Sequence, residues 1–187
     1  DRVTRGGRHQ GVVAELPRLD VLTEISQLPL GPHSLFMVLD KITDPQNFGA
    51  VIRSTVALGD GIIIWGEHGT APLTPATFRA SAGAIEHATL CCVRSLRAAV
   101  GDLSSHAIQT VALEAHAENE LSDLDLCKPT ALVIGAEDQG VSRGVRQACD
   151  HTAKLPMRGR LDSLNASVAA AVALYEVQRQ RTRATTP

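Results

Sequence analysis

Six short apolar runs, separated by longer segments with helical spacing, constrain the fold of this chain more than any other feature. Each run is rich in aliphatic or β-branched residues and is bounded by Gly, Pro or Asp, a pattern typical of buried strands. Strands that alternate with helices form a parallel sheet covered on both faces, so the pattern predicts an α/β fold of that kind. The predicted strands are 35–40, 61–66, 88–93, 108–114, 131–136 and 152–156.

The segments between and after these strands have helical character. The last one is unusual because every residue from Val168 to Leu174 is apolar, so it must be buried in the fold or against a second chain. Residues 1–33 are rich in Gly and Pro and are predicted to form an N-terminal arm or linker with a short helix at 21–28, which leaves 34–187 as the folded domain. The predicted helices of that domain are 48–58, 75–83, 95–106, 141–150 and 163–181.

Composition narrows the class of protein. No apolar run approaches the roughly 20 residues that a membrane-spanning helix needs, and no secretory signal is visible. The four cysteines include no C-x-x-C pair, so we expect reduced thiols in a cytoplasmic protein and no metal site. Because the sequence begins at Asp1 rather than at Met, we also expect a fragment of a longer protein.

Three loops that follow predicted strands are the candidate functional segments, because ligands of parallel sheets bind at the carboxyl ends of the strands. The loops are 40-DKITDPQNFGA, 135-GAEDQG and 156-PMRGRLDSLN. The second loop matches neither the Walker pattern nor G-x-G-x-x-G, which disfavours triphosphate and dinucleotide binding. Asn47 is predicted to cap the helix after the first loop, and Ser163 or Asn165 to cap the last helix. By spacing alone, ordinary turns and capped helices explain these loops equally well.

Taken together and in this order, the loops resemble the signature motifs of the SpoU-type RNA ribose 2'-O-methyltransferases of the SPOUT superfamily. The resemblance extends over 34–181 and is closest to the bacterial 23S rRNA guanosine 2'-O-methyltransferase branch. It implies that the C-terminal part of the parallel sheet forms a deep trefoil knot, a rare exception among folds. It also implies a homodimer through the final helix. The matching stretches are NFGAVIRS at 47–54, LVIGAEDQGVS at 132–142 and LPMRGRLDSLNASVAAA at 155–171.

The resemblance further implies S-adenosyl-L-methionine as the cofactor and RNA as the substrate, with neither a metal nor a membrane partner. By motif matching, the expected cofactor-binding residues are Leu113, Gly135, Leu155 and Leu164. The expected catalytic residues are Asn47, Arg53, Glu137, Ser163 and Asn165.

The resemblance gives the central role to Arg53, held by Asn47 and by polar residues of the third motif. Two roles for Arg53 stay open: a base, or a contact to the phosphate beside the target ribose. A guanidinium stays protonated at neutral pH, so we favour the phosphate contact, with the phosphate or a water accepting the proton. Glu137 is expected to orient its loop or the substrate ribose, and Ser163 and Asn165 to hydrogen-bond Arg53 or the cofactor.

Four functions are compatible with the sequence: methylation of rRNA, methylation of tRNA, RNA binding by a catalytically silent relative, and nucleotide binding by an unrelated α/β domain. The polar motif residues are all present, which argues against the silent relative, and the absent nucleotide motifs argue against the last function. The net charge of −2 is unusual for an RNA-binding protein. Positive charge is therefore expected to be local, at Arg2, Arg5, Arg8, Arg53, Arg158 and Arg160.

Overall fold

The structure is a computed structural model that describes residues 11, 19–71, 73–159 and 163–185, and its centre is a seven-stranded parallel sheet. The strand order is β1-β4-β3-β2-β6-β5-β7. This confirms the predicted α/β class, and each of the six predicted strands overlaps one of β2 to β7. The strands are β1 (Val21–Leu22), β2 (Leu35–Asp40), β3 (Ile62–Gly66), β4 (Thr89–Val93), β5 (Gln109–Leu113), β6 (Thr130–Gly135) and β7 (His151–Ala153).

Among the described residues, five α-helices accompany the sheet, and each overlaps a predicted helix. The fourth is a single turn where a ten-residue helix was predicted, because the chain turns into β7 soon after it. No helix of the described residues has the length and apolar character needed to cross a bilayer. The helices are α1 (Pro45–Leu58), α2 (Pro75–Ser81), α3 (Leu96–Ser105), α4 (Arg143–Arg146) and α5 (Ala166–Thr185).

The N-terminal segment differs from its prediction. Val21 and Leu22 pair with Leu90 and Cys91 of β4 as an edge strand, and only Ile25–Gln27 forms a short 3₁₀ turn. The helix predicted at 21–28 is therefore wrong, because two residues are too few to show the alternation of a strand. The boundary at residue 34 stays a prediction. Outside the described residues lie most of the predicted arm, with Arg2, Arg5 and Arg8, and also Arg160.

Two apolar cores lie on the two faces of the sheet. Side chains alternate between faces along a strand, so Met37 and Leu39 of β2 pack on one side and Phe36 and Val38 on the other, all fully buried. The first core is completed by α1 and α5, and the second by α3 and α4. Every residue of β2 is buried because both faces are covered.

One side of α5 is buried and the other is exposed. Ala166, Ala170, Ala173, Leu174 and Val177 recur at helical spacing and belong to the first core. The large apolar residues on the other side, Val168, Val172 and Tyr175, are 47%, 42% and 61% exposed. The sequence prediction that α5 is buried all round is thus confirmed within the chain for one side only.

The two central strands, β2 and β6, define the place where a ligand is expected. From β2 the chain runs through α1 to β3 on one side of the sheet, and from β6 it runs through α4 to β7 on the other side. Adjacent strands whose connections leave in opposite directions open a crevice at their carboxyl ends. The loops at 41–44 and 136–142 border this crevice.

Candidate functional site

Three side chains from the three motifs meet at the carboxyl edge of the sheet. The amide Nδ2 of Asn47 donates to Glu137 Oε1 over 3.0 Å. Asn165 Nδ2 donates to the same carboxylate oxygen over 2.5 Å and to Asn47 Oδ1 over 3.0 Å. The structure therefore joins three of the five predicted catalytic residues directly, although Asn47 and Asn165 are 118 positions apart.

The start of α5 contributes both a cap and a donor to this cluster. Asn165 Oδ1 accepts hydrogen bonds from the backbone N–H groups of Ser167 and Val168 over 3.0 and 3.3 Å, so Asn165 is the cap of α5. The N–H of Ala166, the first residue of α5, donates to Glu137 Oε1 over 3.2 Å. Three N–H donors thus converge on one oxygen at the N-terminal end of a helix, where backbone N–H groups lack partners within the helix.

The start of α1 corrects one prediction. The cap of α1 is Asp44, whose carboxylate accepts from Gln46 N over 2.9 Å, and Pro45 occupies the first helical position. Asn47 lies in the first turn instead, so the prediction that it caps the helix is wrong. Because its amide is not engaged by the helix end, it faces Glu137 and Asn165.

Arg53 stands apart from the cluster. Its side chain is exposed on α1 and forms no hydrogen bond or ion pair with another described residue. The expectation that Asn47 and the polar residues of the third motif hold Arg53 is therefore wrong for the residues that the structure describes. The helix explains this, because Arg53 follows Asn47 by six residues, or about one and two-thirds turns, so the two side chains point in different directions.

An apolar cleft of about 610 Å³, partly open to solvent, lies beside Glu137. It is enclosed by the ends of β5 and β6, the segment after β7 and the start of α5. All four predicted cofactor-binding residues line this cleft, and so do Ser163 and Glu137. The lining residues include Leu113, Glu114, Gly135, Glu137, Gly140, Leu155, Ser163 and Leu164.

A second, polar depression of about 520 Å³ adjoins the cleft. Lys41, Asp44 and Asn47 line it on the side of β2 and α1. It shares Glu137 and Ala166 with the apolar cleft, so the Glu137 carboxylate stands where the two cavities meet. Two different molecules bound in the two cavities would face each other across this carboxylate.

The family model of the SpoU rRNA Methylase family matches residues 34–175. The chain belongs to this family. It is 36% identical over 184 residues to an uncharacterised tRNA/rRNA methyltransferase of Mycobacterium ulcerans. That alignment covers 97% of this chain and 59% of the relative, so the chain spans about three-fifths of the relative's length.

Solved structures of the SpoU family share this fold. The SpoU methyltransferase AviRb from Streptomyces viridochromogenes, in complex with AdoMet, superposes with a TM-score of 0.80 at 32% identity. That comparison covers 87% of this chain and 66% of AviRb. A crystal structure of an RNA 2'-O ribose methyltransferase superposes with a TM-score of 0.75 at 30% identity, covering 84% of this chain and 60% of the other.

Two glycines set the path of the loop that carries Glu137. A Cβ on Gly135 would lie 2.0 Å from the carbonyl carbon of Gly140, far inside contact distance. Gly140 has a φ of +63°, in the left-handed region that favours glycine. Its N–H donates to Ala136 O over 2.7 Å and closes the turn. The glycine-bounded motif of this SpoU-family chain therefore encodes a turn that only glycine at these positions allows.

Sequence reasoning missed two carboxylates beside this loop. Asp40 Oδ2 accepts a hydrogen bond from Ser142 N over 2.6 Å. Glu114 Oε1 accepts from Val141 N over 3.0 Å, and its other oxygen pairs with Arg146 over 3.3 Å. Both acids end predicted strands, 35–40 and 108–114, and acids at the carboxyl ends of parallel strands are the signal that would have found them.

None of the four cysteines lines the cleft or the depression. All four are free thiols. Burial, with smaller contributions from Asp150, Asp40 and Glu114, raises the pKa of Cys149 to about 12. Such a thiol is protonated at neutral pH and is a poor nucleophile. Among the described residues, no group of His, Cys, Asp and Glu side chains is arranged to hold a metal ion.

Proposed function

We propose that this chain transfers the methyl group of S-adenosyl-L-methionine to a ribose 2'-hydroxyl of RNA. The observation that carries the proposal is the convergence of three N–H donors on Glu137 Oε1 where the apolar cleft meets the polar depression. Membership of the SpoU family supports it, as do the two structural relatives, one bound to AdoMet and one named for RNA 2'-O ribose methylation.

The apolar cleft suits this cofactor. Leu113, Leu155 and Leu164 offer apolar contacts to the adenine ring, and Gly135 and Gly140 line the same cleft without adding side-chain bulk. When bound, the cofactor supplies an electrophilic methyl group on a positively charged sulfur.

Glu137 is placed to orient the ribose that is methylated. Its Oε1 is held by Asn47, Asn165 and the N–H of Ala166, while its Oε2 makes no hydrogen bond to another described residue. A ribose hydroxyl entering from the polar depression can donate to Oε2 and lie next to the cleft. Such positioning of two reactants lowers a barrier by up to about 7–11 kcal/mol.

Arg53 is assigned the phosphate beside the target ribose. Its exposure on α1 leaves the guanidinium available to RNA. A guanidinium binds a phosphate through two parallel hydrogen bonds and keeps its own proton. In this assignment a phosphate oxygen or a water, rather than Arg53, accepts the hydroxyl proton.

We propose 23S rRNA as the substrate, with tRNA as the alternative, because the family is named for rRNA and the mycobacterial relative for both. The test incubates the protein with tritiated S-adenosylmethionine and total RNA from a strain lacking this gene. Label is expected in 23S rRNA, at a linkage that resists alkali because alkaline cleavage needs a free 2'-hydroxyl. Label in tRNA selects the alternative substrate.

Two negative results have different meanings in this experiment. Cofactor binding by calorimetry without transfer to any RNA identifies a catalytically silent RNA-binding relative. Absence of cofactor binding contradicts the proposed function as a whole.

We also propose that the segment between β7 and α5 forms a trefoil knot. In its support, β7 lies at one edge of the sheet, yet Asn165 near the end of this segment contacts Asn47 in the first turn of α1 and Glu137 in the loop after β6, near the centre of the sheet. The chain therefore returns from the edge past the loop after β6. An experimental structure whose backbone straightens when both ends are pulled in silico contradicts this proposal.

Finally, we propose a homodimer in which α5 packs against its copy. Val168, Val172 and Tyr175 form an exposed apolar stripe at i, i+4 and i+7. Light scattering after gel filtration is expected to give twice the chain mass of 19.8 kDa for the wild type and the single mass for Val172→Glu. Arg183→Glu, near the exposed end of the same helix, is the control. A monomeric wild type contradicts the dimer.

A further inference from the structure

The loop after β6 is held by a carboxylate from each of the two strands that flank β6. Asp40 is the last residue of β2, and it accepts from Ser142 N over 2.6 Å. Glu114 directly follows β5, and it accepts from Val141 N over 3.0 Å. Two consecutive backbone N–H groups of the outgoing chain are thus bonded to opposite neighbours of the same strand.

These two carboxylates are costly groups to place here. Asp40 is only 5% exposed, and no described Lys or Arg forms an ion pair with it. The Glu114 side chain is 19% exposed, and its ion-pair partner Arg146 is partly exposed to solvent. A buried carboxylate is disfavoured unless hydrogen bonds compensate for its lost hydration, whereas a backbone N–H at a loop can be satisfied by water. Bonds to an ionised acceptor are, however, shorter and about twice as strong as neutral ones.

The loop that they hold is closed by a hydrogen bond of its own, so its anchoring is passed on to Glu137. Gly140 N bonds to Ala136 O over 2.7 Å, and residues 136–140 therefore form one tight turn. Val141 and Ser142 are the next two residues. If their N–H groups are fixed, the turn is fixed, and Glu137 stays within 2.5–3.2 Å of its three donors on α1 and α5.

We propose that Asp40 and Glu114 are positioning residues for methyl transfer, which hold the 136–142 loop and thereby set Glu137 against both cavities. The inference rests on the proposed function for the role of Glu137. Glu114 also lines the apolar cleft, so its loss is expected to affect cofactor binding more directly than loss of Asp40.

The experiment compares substitutions that remove the acceptor with substitutions that keep its shape. Asp40→Ala and Glu114→Ala remove the oxygen atoms, whereas Asp40→Asn and Glu114→Gln keep one neutral oxygen acceptor. The matched control is Asp60→Ala. Asp60 accepts from Leu35 N over 2.8 Å, which is the same kind of bond. This bond lies at the start of β2, at the end of the strand opposite to Asp40.

Three measurements are made on each variant: amide hydrogen exchange at Val141 and Ser142, the dissociation constant for S-adenosylmethionine, and kcat with RNA at saturation. In each Ala variant, the amide that has lost its acceptor is expected to exchange roughly tenfold faster or more. The kcat of each Ala variant is expected to fall roughly tenfold or more. The Asn and Gln variants are expected to show a smaller rise in exchange and a smaller loss of kcat, each of about threefold, because a neutral bond that is about half as strong remains. Asp60→Ala is expected to lower the melting temperature while exchange in the loop and kcat stay unchanged.

The proposal is overturned if both Ala variants keep the exchange rates and the kcat of the wild type. It is also overturned if Asp60→Ala loses as much kcat as they do. If an Ala variant does not fold, the Asn and Gln variants still decide. No rise in exchange at Val141 or Ser142 then counts against the proposal. Hydrogen exchange needs neither cofactor nor RNA, so it tests the anchoring even if the wild type transfers no methyl group and the proposed function fails.

Discussion

Replacing Asn165 separates its two structural roles. Its Oδ1 caps α5 through the N–H groups of Ser167 and Val168, and its Nδ2 donates to Glu137 and Asn47. Asn165→Ala removes both functions. Asn165→Ser keeps an oxygen that caps a helix about as well as asparagine does, but it has no amide to donate across to Glu137.

The expected magnitudes follow from these bonds. Loss of a cap costs about 0.5–2 kcal/mol, and about 1 kcal/mol lowers Tm by about 2–4 °C for a chain of this length. Asn165 is exposed, so no cavity adds to that cost. A hydrogen bond to a charged group contributes about 1.5–3 kcal/mol, and about 1.4 kcal/mol corresponds to tenfold in rate. We therefore expect both variants to lose roughly 10- to 150-fold in kcat, but only Asn165→Ala to lose Tm.

The assay is methyl transfer from tritiated S-adenosylmethionine at saturating RNA, with thermal melting of the same samples. Asn165→Ser is the decisive variant. If it melts like the wild type and keeps more than half of its kcat, the amide of Asn165 has no catalytic part, and the cluster around Glu137 is only a helix cap. If its activity and Tm fall in proportion, the loss is structural.

Three further predictions use other residues. Gly135→Ala is expected to destabilise the fold by about 1–3 kcal/mol in urea unfolding and to abolish cofactor binding in calorimetry, because the new Cβ would overlap Gly140. Arg53→Lys is expected to lose activity at every pH without moving the optimum; near-full activity with a lowered pH optimum would refute the phosphate contact. Burial raises the pKa of Asp150, but hydrogen bonds led by the Thr110 N–H outweigh it, so this pKa lies below the ordinary value of an aspartate. Its stabilisation is therefore present at neutral pH and lost as pH falls through the lowered value, and Asp150→Asn should make urea stability between pH 5 and pH 2 depend less on pH.

Most of the sheet was predictable because its strands are continuous apolar runs. The runs at 35–40 and 131–136 became β2 and β6, whose six paired positions lie side by side in the centre. The edge strand Val21–Leu22 was not predictable, because its two residues form a strand only through pairing with β4. Local sequence carries no record of a partner that lies about 70 positions away.

The site was predictable as a set of segments and not as a set of contacts. Strand-end loops indicated that the motifs share one edge, and the family resemblance named Asn47, Glu137 and Asn165. The hydrogen bonds among them depend on how α1 and α5 pack, which periodicity does not reveal. The expectation that Asn47 holds Arg53 came from the family resemblance, whereas the positions of the two residues on α1 turn their side chains in different directions.

The cluster around Glu137 also has a consequence for the order in which the protein matures. Its three members come from the beginning, the later part and the end of the folded chain, and Asn165 arrives with the last helix. During synthesis, a nascent chain that has reached β6 already holds its central strands but has no donor from α5 for Glu137. The hydrogen-bonded cluster around Glu137 can therefore form only after residues 166–185 have left the ribosome and docked on α1. Under the proposed function, we expect a chain whose translation stops earlier to be inert.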